Sequence, residues 1–143
     1  MARLAYLLDL PVLAELTRPT GNRRVLNLFQ QHQALCAVAA PVAGSLLRGV
    51  ESLHEGPRRT QLTAFVAELL RSGPPVLPFD REAAIWLARE AQRRQRLARP
   101  WRTLEGQQAA IAATRELVLV TQRTGHYAGA EGLRCEDWFR PGA

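Results

Sequence analysis

The sequence predicts an α/β domain of three layers, with a central, mainly parallel sheet flanked by helices. Three observations point there. Short apolar, strand-like runs alternate with longer helical patterns along the whole chain. The run Leu117 to Thr121, LVLVT, is apolar without alternation, as a strand covered on both faces should be. No repeat, low-complexity segment or linker interrupts the 143 residues, so one domain, 1-143, with a single core is expected.

The elements follow in order. Leu4 to Leu8 is the first strand, and Asp9 ends it. Pro11 is tolerated in the first turn of a helix reaching Leu16, and RPTGN makes a turn. Arg23 to Gln33 puts Val25, Leu28, Phe29 and His32 on one helical face. ALCAVA, Ala34 to Ala39, reads as a second strand, and Val42 to Leu53 as a helix closed by HEGP. Thr60 to Arg71 carries Leu62, Phe65, Val66, Leu69 and Leu70 at amphipathic spacing. Pro75 to Phe79 is a third strand, and Asp80 caps the long helix after it. Thr103 caps a helix running to about Glu116, LVLVT is the fourth strand, and GLRCEDWF adds an edge strand.

Composition narrows the class of function. Hydrophobic content of 47% with 22% charged residues describes an ordinary globular chain, and no apolar run reaches the ~20 residues of a membrane span. Asp9 breaks the N-terminal apolar run, which argues against a signal peptide. Cys36 and Cys135 lie in apolar contexts without a spaced Cys/His set, which points to buried thiols of a cytoplasmic protein rather than a disulfide or a zinc site. The net charge is +6, and every basic side chain is arginine, whose planar fork suits phosphate. Nucleic acid, an acidic protein partner or a merely solvated surface are all compatible with that charge.

In open parallel sheets, sites form beyond the carboxyl ends of the strands. Asp9 lies at such an end, as does the segment after Thr121. With these pieces in place the chain resembles PIN domains, and within them VapC-type toxins of bacterial toxin–antitoxin pairs. The resemblance runs from Tyr6 to Trp138 and is carried by YLLD…VLAELTRP, AGSLLRGVE, LPFDREAA, RPWRTLEGQQAAIA and LVLVTQRTGHYAG in that order. It implies a central parallel sheet, RNA cleavage with Mg²⁺ or Mn²⁺ held by four acids, a homodimer, and a VapB-like antitoxin as partner. A hard divalent cation takes oxygen ligands, so several carboxylates have to converge on it.

Set against that pattern, Asp9 matches the first acid. Leu10 and Pro11 stand where a threonine and an asparagine usually steady it, and neither side chain donates a hydrogen bond. Ser45, anchored by Arg48-Gly49-Val50-Glu51, takes the place of the second acid and brings no charge. The third position depends on register. Reading IAAT, Ile111 to Thr114, at face value assigns Gln108 to it and needs a three-residue deletion before LVLVT. The ungapped register fits both flanks and assigns Glu105, for which the blander alternative is a carboxylate favoured at a helix start. In VTQRTGHY, Arg123 replaces an asparagine and His126 replaces the fourth acid. His126 is then either an exposed loop histidine or a contact to metal or phosphate. Asp80 reads as a helix cap and not as a substitute acid.

Two readings of function follow. One is an active endoribonuclease in which Asp9 and Glu105 are catalytic and, with His126, hold Mg²⁺ or Mn²⁺. The other, which the departures at Leu10, Pro11, Ser45, Arg123 and His126 favour, is a toxin-type protein with impaired or lost RNase activity. It would retain antitoxin and RNA binding, with Arg48 and Arg123 facing phosphate. A gene copy without a present role is the third and blandest reading.

Overall fold

The computed structural model describes residues 3–18 and 20–141. Tyr6–Leu8 forms β1, with Leu7 and Leu8 fully buried. Leu10–Leu16 (α1) and Arg23–His32 (α2) lead through a 3-10 turn at Gln33–Leu35 into β2, Cys36–Ala39, all four residues buried. Ala40–Glu51 (α3) and Pro57–Ser72 (α4) precede β3, Val76–Leu77. Arg81–Arg96 (α5), Thr103–Thr114 (α6), β4 at Val118–Val120, the single turn α7 at Thr124–Tyr127, and β5 at Arg134–Glu136 complete the chain.

The sheet is parallel throughout, in the order β3-β2-β1-β4-β5. Strands are therefore added outward on one side of β1 from β2 to β3, and on the other from β4 to β5. The direction of winding reverses between β1 and β4. A crevice opens at such a reversal, beyond the carboxyl ends of the two strands. The core gathers on both faces, from Val12 and Leu13 of α1, Val42 and Leu46 of α3, and Ala109 to Ala112 of α6. Helix α6 is buried along most of its length, which is why its small residues are needed. At Gly106 a Cβ would come 2.9 Å from Leu87 Cδ1, so any larger residue there would have to move the tip of that leucine side chain.

Several boundaries differ from the sequence expectation for identifiable reasons. Asp9 itself caps α1, so the helix begins at Leu10. Pro41 and Pro57 sit in the first turns of α3 and α4, where a missing N–H costs nothing, and both helices start earlier than their apolar spacing suggests. Ala34 and Leu35 belong to the tightened turn after α2 rather than to β2. The RPTGN turn includes Pro19, which lies outside the described residues, as do Met1 and Ala2 of the N-terminal run. Asp80 caps α5 as expected, accepting the Ala83 N–H at 3.0 Å. Thr103 does not cap α6. It is already helical, and Arg102, with the extended backbone of a cap, precedes it. Cys36 and Cys135 are free thiols, the first buried and the second half-buried, and burial pushes them up to about 12 and about 11. They are unreactive as thiolates at neutral pH.

Helices α5 and α6 end in the same way. After α5, the Arg99 N–H donates to Arg94 O and the Ala98 N–H to Gln95 O, with Ala98 at φ 58°. After α6, the Leu117 N–H donates to Ala112 O and the Glu116 N–H to Ala113 O, with Glu116 at φ 56°. Both are Schellman turns in which a residue with a Cβ takes the left-handed position that glycine normally fills. Ala98→Gly is expected to raise the unfolding free energy by about 1 kcal/mol, measured by urea denaturation, because the Cβ clash at positive φ outweighs the extra freedom of glycine in the unfolded chain.

Candidate functional site

The crevice between β1 and β4 is built around Asp9. Its N–H donates to Val120 O at 3.0 Å, continuing the pairing one residue past β1. The residue is 7% exposed, and both of its side-chain oxygens are engaged. Oδ1 accepts from the Leu10 N–H at 2.8 Å and from Gln108 Nε2 at 2.9 Å. Oδ2 accepts from the Thr121 hydroxyl at 2.8 Å. Gln108 donates its other amide hydrogen to the Tyr127 hydroxyl at 2.9 Å, and its Oε1 has no partner among the described residues. Thr121 Oγ1 also accepts the Arg123 N–H at 3.1 Å, which turns the chain after β4 into the crevice. Burial raises the ionisation of Tyr127 well above the ordinary phenol value, so it stays a neutral hydroxyl.

Glu105 lies one helical turn before Gln108 and belongs to a second cluster. Its Oε1 accepts the Arg102 N–H at 2.7 Å, and its Oε2 accepts from Arg123 Nη1 at 2.6 Å. His126 Nε2 sits 3.0 Å from Oε1, close enough to pair when charged but not aligned as a hydrogen bond. Burial pushes the Glu105 carboxyl up, but the Arg102 N–H, His126 and Arg123 together outweigh it and hold the group below its ordinary value. His126 is placed from outside the crevice. Its carbonyl accepts from Arg94 Nη2 at 2.8 Å and from Trp101 Nε1 at 3.1 Å, while the Arg94 guanidinium lies 4.1 Å above the Trp101 ring.

The structure thus brings Glu105, Arg123 and His126 together, and places Asp9 with Gln108, Thr121 and Tyr127. Leu10 serves Asp9 through its backbone N–H, while Pro11 is exposed. Ser45 is half-buried and Arg48 exposed on α3, and among the described residues neither side chain makes a hydrogen bond or ion pair. The residue that α6 sets against Asp9 is Gln108, the choice that the ungapped register put aside. Helix α6 ends at Thr114, and the Schellman turn at Glu116 carries the chain to β4 at Val118 through a left-handed residue.

Gln108, Thr121, Tyr127, Arg94 and Trp101 were not marked as site residues by sequence reasoning. The IAAT string carried the signal for Gln108. The other four act through neighbours distant in sequence, and no local pattern singles them out.

Whether these donors suit a hard divalent cation can be tested on their bonding. Such an ion takes several free oxygens. Both oxygens of Asp9 already accept from neutral donors, in three hydrogen bonds, and Glu105 faces two basic side chains. Among the described residues no three His, Cys, Asp or Glu side chains come together as a metal set. As placed, the residues do not fit Mg²⁺ or Mn²⁺.

Two outcomes follow from this geometry. Thr121→Val keeps the shape but strands Asp9 Oδ2, and is expected to cost about 2 kcal/mol of stability in chemical unfolding. Because the folded Glu105 carboxyl titrates below the 4.5 of an unperturbed glutamate, its contribution is complete above about pH 4.5 and is lost as pH falls through the lower folded value. Glu105→Gln should therefore flatten the acid-side loss of stability, read as urea midpoints at about pH 6 and about pH 3.

No family model matches the sequence, and no curated relative does either. Solved structures do. A chain of FitAcB from Neisseria gonorrhoeae superposes with a TM-score of 0.81 at 24% identity, covering 94% of this chain and 99% of that one. A chain of DNA-bound VapBC from Salmonella typhimurium gives 0.80 at 22%, covering 94% and 98%. A chain of VapBC-5 from Mycobacterium tuberculosis, a member of the VapBC family of toxin–antitoxin systems, gives 0.70 at 22%, covering 93% and 98%. Nearly whole chains match on both sides, so the protein has the PIN-like three-layer fold found in VapBC and FitAB complexes.

Proposed function

We propose that this chain is the VapC-like member of a toxin–antitoxin pair, and that it binds an antitoxin-type partner and RNA without metal-dependent cleavage. The whole-length likeness to chains of toxin–antitoxin complexes supports the first half. The observation that carries the second is the Gln108–Asp9 hydrogen bond. A carboxylate beside Asp9 would share a cation with it. An amide in that place instead donates to it, and so does the work of the cation with a neutral group.

The remaining chemistry of the crevice is that of holding rather than cutting. Asp9 ties β1, α1, α6 and β4 together. Arg123, over half exposed, offers the unspent part of its guanidinium to phosphate while Glu105 holds its Nη1. Helix faces away from the crevice are left for a second copy and for the antitoxin-type partner.

Calorimetric titration of Mg²⁺ and Mn²⁺ into the purified protein is expected to show no binding up to the millimolar range where weak oxygen sites saturate. The double variant Gln108→Glu with Arg123→Ala restores a free carboxylate beside Asp9 and unpairs Glu105, and it should gain Mn²⁺ binding. Mg²⁺-stimulated cleavage of RNA by the unaltered protein, abolished by Asp9→Asn, would overturn the proposal.

A further inference from the structure

Between Arg89 and Arg102 the chain holds six arginines and one glutamate, Glu90, so this stretch carries five of the six net positive charges of the protein. Two of the six arginines are committed. Arg93 pairs with Glu90, and Arg94 is buried against backbone carbonyls and the Trp101 ring. The other four, Arg89, Arg96, Arg99 and Arg102, are exposed, and none pairs with an acid among the described residues. Arg89, Arg93 and Arg96 share one face of α5 by their spacing, and the Schellman turn at Ala98 then carries Arg99 and Arg102 round to the start of α6. A hollow of about 360 Å³ opens between α5 and α6 beside that turn, on the Leu87, Ala91 and Gln95 side of α5, away from Arg89, Arg93 and Arg96. Phe79, Leu87 and Trp101 form apolar walls, and Gln95, Gln107 and Arg102 bring polar groups to it.

We propose that the α5–α6 turn is a docking surface for single-stranded RNA, with Arg99 and Arg102 on successive phosphates and one unstacked base in the hollow. This rests on the reading that the chain holds RNA without cutting it, and it names the surface. Unpaired arginine forks match phosphate oxygens. An apolar slot flanked by two amides matches a base, whose faces are apolar and whose edges are hydrogen-bonding. An acidic peptide would satisfy the arginines and leave the slot empty, and a duplex would keep its bases stacked out of reach. The surface adjoins the crevice, because the Arg102 N–H is held by the same Glu105 carboxylate that binds Arg123.

The test is fluorescence anisotropy with a labelled single-stranded RNA dodecamer, the matching duplex and a poly-glutamate peptide, titrated in EDTA at several salt concentrations. The single strand should bind best, with log affinity falling linearly against log salt. The variant Arg99→Gln/Arg102→Gln should lose at least about fivefold in affinity and about 1.4 in slope, since each phosphate contact to a single strand contributes roughly 0.7. Gln107→Ala should weaken binding and leave the slope alone. Arg23→Gln/Arg24→Gln, on exposed α2 positions, should change neither. Equal affinity and slope for the Arg99→Gln/Arg102→Gln variant and the unaltered protein would overturn the proposal. So would absence of RNA binding, or tighter binding of poly-glutamate, which would make this an acidic-protein surface. EDTA separates the two proposals. Cleavage seen with Mg²⁺ would sink the reading of the crevice without touching this surface, an unchanged variant would sink this surface alone, and absence of RNA binding would overturn both.

Discussion

The arrangement of the crevice depends on one buried charge and the three donors that surround it. Asp9 is nearly sealed from water, and an ionised carboxylate in that position is costly unless its oxygens are fully bonded. The Leu10 N–H, the Gln108 amide and the Thr121 hydroxyl meet the requirement from α1, α6 and the end of β4. The need to satisfy a single side chain therefore fixes how two helices meet two strands. The hydroxyl of Thr121 passes the constraint on by accepting the Arg123 N–H, and Arg123 in turn reaches Glu105.

The second layer of order is aromatic and cationic. Trp86 stacks near-parallel to Trp101, with ring centroids 6.1 Å apart, and Arg94 covers the Trp101 ring. Arg94 and Trp101 then donate to the His126 carbonyl, so α5 and the turn after it position a residue 25 or more places further along. A buried arginine usually needs an acid. Here the carbonyls of Arg99 and His126 and a ring face take that role, which keeps the carboxylate of Glu105 available to Arg123.

Much of the fold was legible because strand burial on two faces writes itself as uninterrupted apolar runs, as at Leu7-Leu8 and Leu119-Val120. Asp9 at a strand end and Asp80 before a helix were legible for the same local reason, a polar side chain where backbone N–H groups stand free. The identity of the α6 residue facing Asp9 was not. Glu105 and Gln108 are one turn apart on one helix face, and which of them reaches the crevice depends on where α6 ends. That end is set by a left-handed glutamate, Glu116, in a position where composition suggests glycine. A turn made with the less favoured residue leaves no mark in the sequence, so the shorter connection could not be read from it. Ser45 was placed by spacing, and its bonding depends on contacts that spacing does not describe.

The two outer strands have a consequence for assembly. β3 is only two residues long and is bounded by Pro74, Pro75 and Pro78, none of which has a backbone N–H to donate. β5, at the opposite border, is three residues long and has a charged side chain at each end, Arg134 and Glu136. A sheet grows from copy to copy only where a border strand offers a long, flat row of free backbone groups. Neither border does, so fibre-like stacking through the sheet is blocked on both sides. Association of this chain with another copy or another protein by continuing the sheet is disfavoured at both borders.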